Sequence, residues 1–392
     1  MKFNKFNIIH YFIFAIGFVI FNISFILKKL VKNRGEDEIV LYGHKLYGNI
    51  KSLYSTLNGE FNCFYLTLDY QNYRKLKSKN FKVLYGLNIK HVNKVLDCKI
   101  FVTDHGAHYF KKMIRQNKKI FIDVNHGLPM QKWNEKIMSQ YYEFAEVWLM
   151  SEMHKNIYIN DFGYKEKNNL IVTGYGRLDY LKEFNKSENK DKIKSELSKK
   201  YNFDENKQIV LYAPTWIHNK SLVNDEFMSP KNTSFIKFLD DISNELNLNL
   251  IFRPHLNTRF NGNDKKLFNS MKYIKFMPQD KYDNVEDFMI LSDILITDYS
   301  SIAFDYLLLN RPVIFLNTSS SFDLGLFKDS FFRYGKITNE FEIKGNLKKY
   351  IENPDLYFKE CPQHLKTVGE LYDNIDSIAS KIYLDRIRNF LN

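Results

Sequence analysis

Several short apolar runs in this chain end in residues able to move protons or hold anions. NHGLP at 125–129 follows the run 120–124. An imidazole titrates near neutrality, so His126, beside a glycine that admits substrate, has the chemistry to deprotonate a hydroxyl. The same pattern suits a histidine that merely satisfies turn carbonyls. FRPH at 252–255 supplies Arg253 and His255, a pair suited to holding a diphosphate or protonating a leaving phosphate, or to forming an ordinary surface turn. DILITDYSSIAFD at 293–305 runs from an apolar strand into hydroxyls, with a helix expected from about Ser300. Thr297, Ser300 and Ser301 would complete an anion site with the unpaired N–H groups of that helix start, or would cap it.

Two weaker sites share this placement. Tyr212-Ala213-Pro214-Thr215-Trp216 offers the Thr215 hydroxyl to a phosphate and Trp216 as a wall. GYGRLD at 174–179 adds a cation, Arg177, but lacks the third glycine of a dinucleotide fingerprint. Asp104 and His105 follow the run 100–102 and are candidates to line a cleft. With His108 they invite a metal reading, but no third strong ligand accompanies them, and no metal is expected. There is no Walker loop, nucleophile elbow or HExxH, and no cofactor is implied.

The elements that must position these residues alternate regularly. Apolar runs at 39–42, 83–85, 100–102, 120–122, 147–150 and 170–172 read as strands separated by helical stretches. A charged, helix-like region without a clear core face, 181–207, reads as the interdomain linker region. Further strands are expected at 209–212, 248–252, 294–296 and 313–316. Strand–helix alternation implies parallel sheets covered on both faces, and two such blocks imply two Rossmann-like domains facing a cleft. Ligands bind at the carboxyl ends of such strands, where the motifs fall. The expected division is a membrane anchor at 1–34, an acceptor domain at 36–200, a nucleotide-donor domain at 205–365 and a C-terminal amphipathic helix at 366–392.

Residues 6–27 carry no charged side chain. As a helix, roughly 22 residues rise about 33 Å, enough to cross a hydrocarbon core. Lys28, Lys29, Lys32 and Arg34 follow it, which places the body of the chain on the cytoplasmic side. Asn7, His10, Asn22 and Ser24 keep open a helix lying in the interface. Either form attaches the chain to the cell membrane, and the remaining alternative is a helix buried within a soluble fold. The formal charge of +12 suits an anionic partner or simply a solvated basic surface. No zinc-finger, RNP or helix-turn-helix pattern points to nucleic acid, leaving anionic lipid and phosphorylated substrates. Three scattered cysteines, Cys63, Cys98 and Cys361, form no CxxC and suit a reducing compartment.

In order, NHGLP, TGYGRLDYL, VLYAPTW, FRPH and DILITDYSSIAFDYLLLNRPVIFL make the chain resemble the CDP-glycerol glycerophosphotransferase family of teichoic acid priming enzymes and polymerases. The last block is the most specific, and the likeness spans about residues 120–320. It implies a GT-B-like fold and attack by an acceptor hydroxyl on a CDP-linked phosphate, releasing CMP. It implies His126 as general base, and Arg253 with His255 at the diphosphate. Thr297, Ser300 and Ser301 would lie at phosphate, with Asp298 and Asp305 near the nucleotide or ordering its loop. The implied partners are CDP-glycerol or a similar CDP-polyol, a lipid-linked or polymer acceptor, and the cytoplasmic membrane. The chain departs from the family at Ile217, Leu256 and Gly176, departures that bear on donor identity. Two other readings are a GT-B glycosyltransferase using a nucleotide sugar and a non-catalytic, membrane-anchored binder of anionic polymers.

Overall fold

A computed structural model of the chain describes residues 8–29, 38–43, 45–105, 119–134, 138, 144–215, 227–229, 231–255, 258, 260–320, 325–373 and 376–392. Trp216, Ile217, His108 and Leu256 lie outside them. The chain divides into two compact units. One comprises residues 1–128, 133–179 and 377–392, the other 129–132 and 180–376.

The first unit is built on β1 (Ile39–Tyr42), β2 (Cys63–Thr67), β3 (Val83–Tyr85), β4 (Ile100–Thr103), β5 (Ile120–Asp123), β6 (Glu146–Leu149) and β7 (Leu170–Val172). They form one parallel sheet in the order β3-β2-β1-β4-β5-β6-β7. Its central strands are buried on both faces, as near-continuous apolar runs require in a parallel sheet. Strand order reverses between β1 and β4. There Tyr42 pairs with Thr103, and Thr103 with Asp123, so Gly43, Asp104 and Val124 leave the sheet side by side.

The second unit repeats this plan with β8 (Ile209–Tyr212), β9 (Asn249–Phe252), β10 (Ile274–Phe276), β11 (Ile294–Thr297), β12 (Val313–Leu316) and β13 (Lys336–Thr338). The order is β10-β9-β8-β11-β12-β13, again parallel. The reversal falls between β8 and β11, where Tyr212 pairs with Ile296. Phe235, Leu239, Phe252, Phe268 and Tyr350 fill its core around the strands.

The charged, helix-like stretch forms the helices Asp179–Lys186 and Lys190–Tyr201. The second packs into the second unit through Lys194–Asp293 (2.8 Å) and through Lys200 and Tyr201 on Asp287 (2.7 and 2.6 Å). These pairs are distant in sequence, so charge composition alone reads as linker. The expected terminal helix is two helices, Gln363–Leu371 and Ala379–Leu391. The last one belongs to the first unit. The Asp179 carboxylate accepts the N–H groups of Ala379 and Ser380 at its start (2.9 and 2.8 Å), and Tyr383 stacks on Trp148 at 4.7 Å.

The N-terminal apolar run forms the helix Ile8–Lys29. It packs on the helix Ile89–Asp97, with Gly17, Phe21, Ser24 and Phe25 turned inward. Phe12, Ile16, Phe18, Val19, Ile23, Ile26 and Leu27 face outward. Among the described residues, no helix is long and apolar enough to cross a membrane.

Candidate functional site

At the carboxyl edge of the first sheet, Asp104 is a hub. Its main-chain oxygen lies 3.0 Å from His126 Nδ1, and its carboxylate lies 2.5 Å from His105 Nδ1. A carbonyl only accepts, so His126 Nδ1 carries the hydrogen and Nε2 the lone pair. The two imidazoles stack with centroids 4.4 Å apart and planes 10° off parallel. Asp104 is buried beside Tyr42, Tyr47 and Tyr65, whose phenols are pushed upward by burial first and by this carboxylate second. Gly43 makes the approach possible: a Cβ there would lie 2.9 Å from Asp104 Oδ1.

Desolvation lowers the pKa of His126 to about 4, helped by His105 and Arg177 and opposed by Asp104. The ring's surface is open to solvent, which tempers desolvation, yet every degree of this lowering leaves the imidazole neutral at pH 7. A neutral imidazole with its Nδ1 hydrogen engaged and its Nε2 lone pair unprotonated is the form a general base needs.

Beneath His126, Asn125 adopts a left-handed backbone (φ 50°), a conformation that asparagine tolerates better than most residues. Its side chain donates to Trp148 O (3.3 Å) and accepts from Tyr158 Oη (3.0 Å). Asn49 Nδ2 donates to the carbonyls of Val124 (3.2 Å) and Asn125 (2.9 Å), while Asn49 Oδ1 accepts Arg177 N–H (3.3 Å). The Arg177 guanidinium donates to His126 O (3.0 Å) and lies over the Tyr175 ring at 4.6 Å. Arg177 thus braces the His126 loop. His154, 0% exposed, underlies both arms: its Nδ1 accepts from Met150 N–H and Tyr175 Oη, both 3.3 Å, and its ring meets Tyr158 edge-on. Burial drives its pKa down to about 3.

In the second unit, the strand-order reversal gathers Thr215, Thr297 and Asp298. Asp298 is buried, and its Oδ1 accepts Thr215 N–H (2.8 Å), tying the turn after β8 to the end of β11. Burial raises its carboxyl to about pKa 7, against the pull of backbone N–H donors. The Thr297 hydroxyl donates to Ala213 O (2.7 Å) and is buried. Arg253 is buried too. Its Nη1 donates to Met277 O (3.0 Å) and Tyr282 O (2.5 Å), and its guanidinium lies 5.4 Å from the Phe288 ring.

Thr297 and Arg253 fasten neighbouring loops, because carbonyls left bare by the ends of β8 and β10 need donors. The outward-facing residues at this edge are His255 and Ser301, with Ser300 and Thr215 half-buried. Ser301 stands at the N-cap of the helix Ile302–Tyr306 without a side-chain capping bond, so ordinary capping does not account for its hydroxyl. Asp305 is buried within that helix. Tyr334 and Tyr372 hold it by donating to the carbonyls of Ala303 (2.6 Å) and Phe304 (2.8 Å).

The departure at Gly176 has a local cause. Its N–H donates to Tyr383 Oη (3.0 Å), and a Cβ would collide with Ser52 Oγ and the Tyr383 ring. A proline there would lose that bond. Asn49, Asn125, Tyr158 and His154 escape sequence reasoning. The asparagine before His126 is the one readable signal, since a turn residue followed by glycine at 127 marks an unusual backbone. Among the described residues, no three of His, Cys, Asp and Glu gather as a metal-holding group.

Known proteins share this architecture. The chain aligns with a variant of the wall teichoic acid polymerase TagF soaked with CDPG at TM-score 0.73, with 15% identity over 96% of this chain and 94% of that one. At that identity the likeness speaks for the fold, which is GT-B-like. A teichoic acid poly(glycerol phosphate) polymerase of Bacillus spizizenii is 28% identical over 50% of this chain and 50% of its own length. A teichoic acid poly(ribitol-phosphate) polymerase of the same organism is 27% identical over 62% of this chain and 37% of its own. The chain therefore spans half or less of these relatives. The model of the family described as CDP-glycerol:poly(glycerophosphate) glycerophosphotransferase matches residues 27–327, and the chain belongs to that family.

Proposed function

We propose that this chain transfers glycerol phosphate, or a related polyol phosphate, from a CDP-activated donor to a hydroxyl of a cell-envelope polymer or lipid-linked acceptor. The observation that carries this is His126, neutral and exposed, with Nδ1 fixed by Asp104 so that Nε2 holds the lone pair. The acceptor hydroxyl gives its proton to Nε2 as its oxygen forms a new bond to the donor's polyol-bearing phosphorus. The bond from that phosphorus to the bridging oxygen breaks, and the electron pair leaves with CMP. His255, Ser300, Ser301 and Thr215 are the second unit's candidates to hold the diphosphate. Asp298 and Asp305 order their loop. Asp104 and His105 set the base, and Arg177 braces it.

We also propose that the Ile8–Lys29 helix attaches the chain to the cytoplasmic face of the cell membrane. Its outward apolar face and the basic residues that follow fit a helix lying in the headgroup region. Removing residues 1–34 should abolish flotation with vesicles containing anionic lipid, and persistent flotation in high salt would refute the anchor.

The transfer is tested by supplying CDP-glycerol, CDP-ribitol and UDP-sugars, each radiolabelled, with membranes as acceptor. Label from a CDP-polyol should enter polymer with stoichiometric CMP. Label from a UDP-sugar alone would assign glycosyl transfer instead.

A further inference from the structure

We propose that Asp104, His105 and His126 act as one proton-holding unit, in which His105, held by the Asp104 carboxylate, takes the first proton and keeps His126 Nε2 unprotonated for the acceptor hydroxyl. The inference deepens the reading of His126 as base and rests on it.

The geometry gives each member one part. Asp104 binds both rings, His105 by carboxylate and His126 by carbonyl, at 2.5 and 3.0 Å. Both Nδ1 atoms therefore face Asp104. A positive charge on His105 is compensated by a carboxylate in direct contact, whereas one on His126, whose added proton goes to Nε2, has only a carbonyl bonded at Nδ1. Parallel rings 4.4 Å apart disfavour charging both, so their titrations belong to the pair. The Arg177 guanidinium on His126 O acts in the same sense by disfavouring a second positive charge, and among the described residues Asp104 favours it. Tyr42, Tyr47 and Tyr65 surround the carboxylate as neutral phenols.

The consequence is functional. An isolated imidazole is half charged near pH 6.5 and useless as a base below it. His126 beside a charged His105 stays neutral well below that. His105 is thus a positioning and charge-setting residue that need not touch substrate.

The test combines ring titration with kinetics. In the full chain carrying isotope-labelled histidine, His105 should take up its proton at a higher pH than His126, with assignments from His105→Asn and His126→Asn. In His105→Asn and His105→Phe, the His126 midpoint should rise. The acid limb of kcat/KM for CMP release from CDP-glycerol, with membranes as acceptor, should move up by about half to one pH unit. The high-pH plateau should stay within a few-fold of the wild type. A profile lowered at every pH without displacement would mean His105 is only structural, and the proposal fails. Two wild-type rings titrating independently near 6.5 also overturn it, even if no His105 variant folds. Full CMP release by His126→Asn would sink the base reading, whereas the ring coupling would still be seen, so the two failures are distinguishable.

Discussion

The two sheets present the same edge, the carboxyl ends beside a strand-order reversal, and furnish it differently. After β4 and β5 the polar side chains point outward or brace what does: Asp104 holds two imidazoles, and Asn49, Asn125 and Arg177 hold the main chain of one. After β8, β9 and β11 the strongest polar groups turn inward. Thr297, Arg253 and Asp298 each satisfy a neighbouring backbone group. On the proposed function, the difference follows from the task. A base works through one lone pair aimed in one direction, so its side chain needs a supporting network. A polyanion is held by many weaker donors, and there the fold needs loops shaped rigidly enough to present N–H and hydroxyl groups. Identical topology thus yields one edge built on side-chain geometry and another built on loop geometry.

The sharpest way to break this contrast is at His126. His126→Ala should lower turnover by about 10²–10⁴ while leaving CDP-glycerol affinity nearly unchanged, since the lost group acts on the acceptor. CMP release and calorimetric donor binding, measured together, decide it. Turnover close to wild type would remove the general-base role. Parallel loss of both quantities would move His126 to donor binding.

A smaller effect separates inward from outward residues in the second unit. Ser300→Ala, Ser301→Ala and His255→Ala should each weaken donor binding by about 1–2 kcal/mol without lowering the melting temperature appreciably. Thr297→Val and Arg253→Ala should do the reverse in order of impact. Each strands a buried carbonyl, so stability falls first, by about 1–3 kcal/mol, and affinity falls only as the loop loosens. If Arg253→Ala abolishes binding in a fully stable protein, its guanidinium contacts the donor after all.

Much of this was legible in the sequence, for physical reasons. Strands buried on both faces read as apolar runs, so 39–42, 209–212 and 313–316 were found with their observed limits. The short edge strands Ile274–Phe276 and Lys336–Thr338 were not, because a lysine breaks up each three-residue run, and neither was Cys63–Thr67. His126 and His255 were visible because histidine after a strand is chemically conspicuous. Their supports were not, because Asn49 and His154 reach the loop only through contacts many residues apart. The partners of Thr297 and Arg253 were hidden for a related reason: composition shows which donor is present but not which carbonyl takes it.

A further effect concerns pH, and it tests whether the two edges differ in charge as well as geometry. His154 has a folded pKa near 3, below its unfolded value near 6.5, because burial disfavours its charged form. The unfolded chain then binds more protons between those values, so this contribution is intact above pH 6.5 and is lost as pH falls, by up to about 1.4 kcal/mol per pH unit. Asp298 runs the other way. Its folded value, near 7, exceeds the unfolded value near 4, so the native state binds more protons in that window and stability falls as pH rises through it. Asp298→Asn keeps an acceptor for Thr215 N–H and removes the titration, so its stability relative to wild type should improve as pH rises from about 4 to 7. His154→Gln should instead lose less stability than wild type on acidification, whatever its starting value. Urea midpoints across pH 4–8 measure both slopes. Parallel slopes for Asp298→Asn and wild type would mean that water reaches this carboxyl, and the second edge would then be an open, solvated loop rather than a closed frame for the donor.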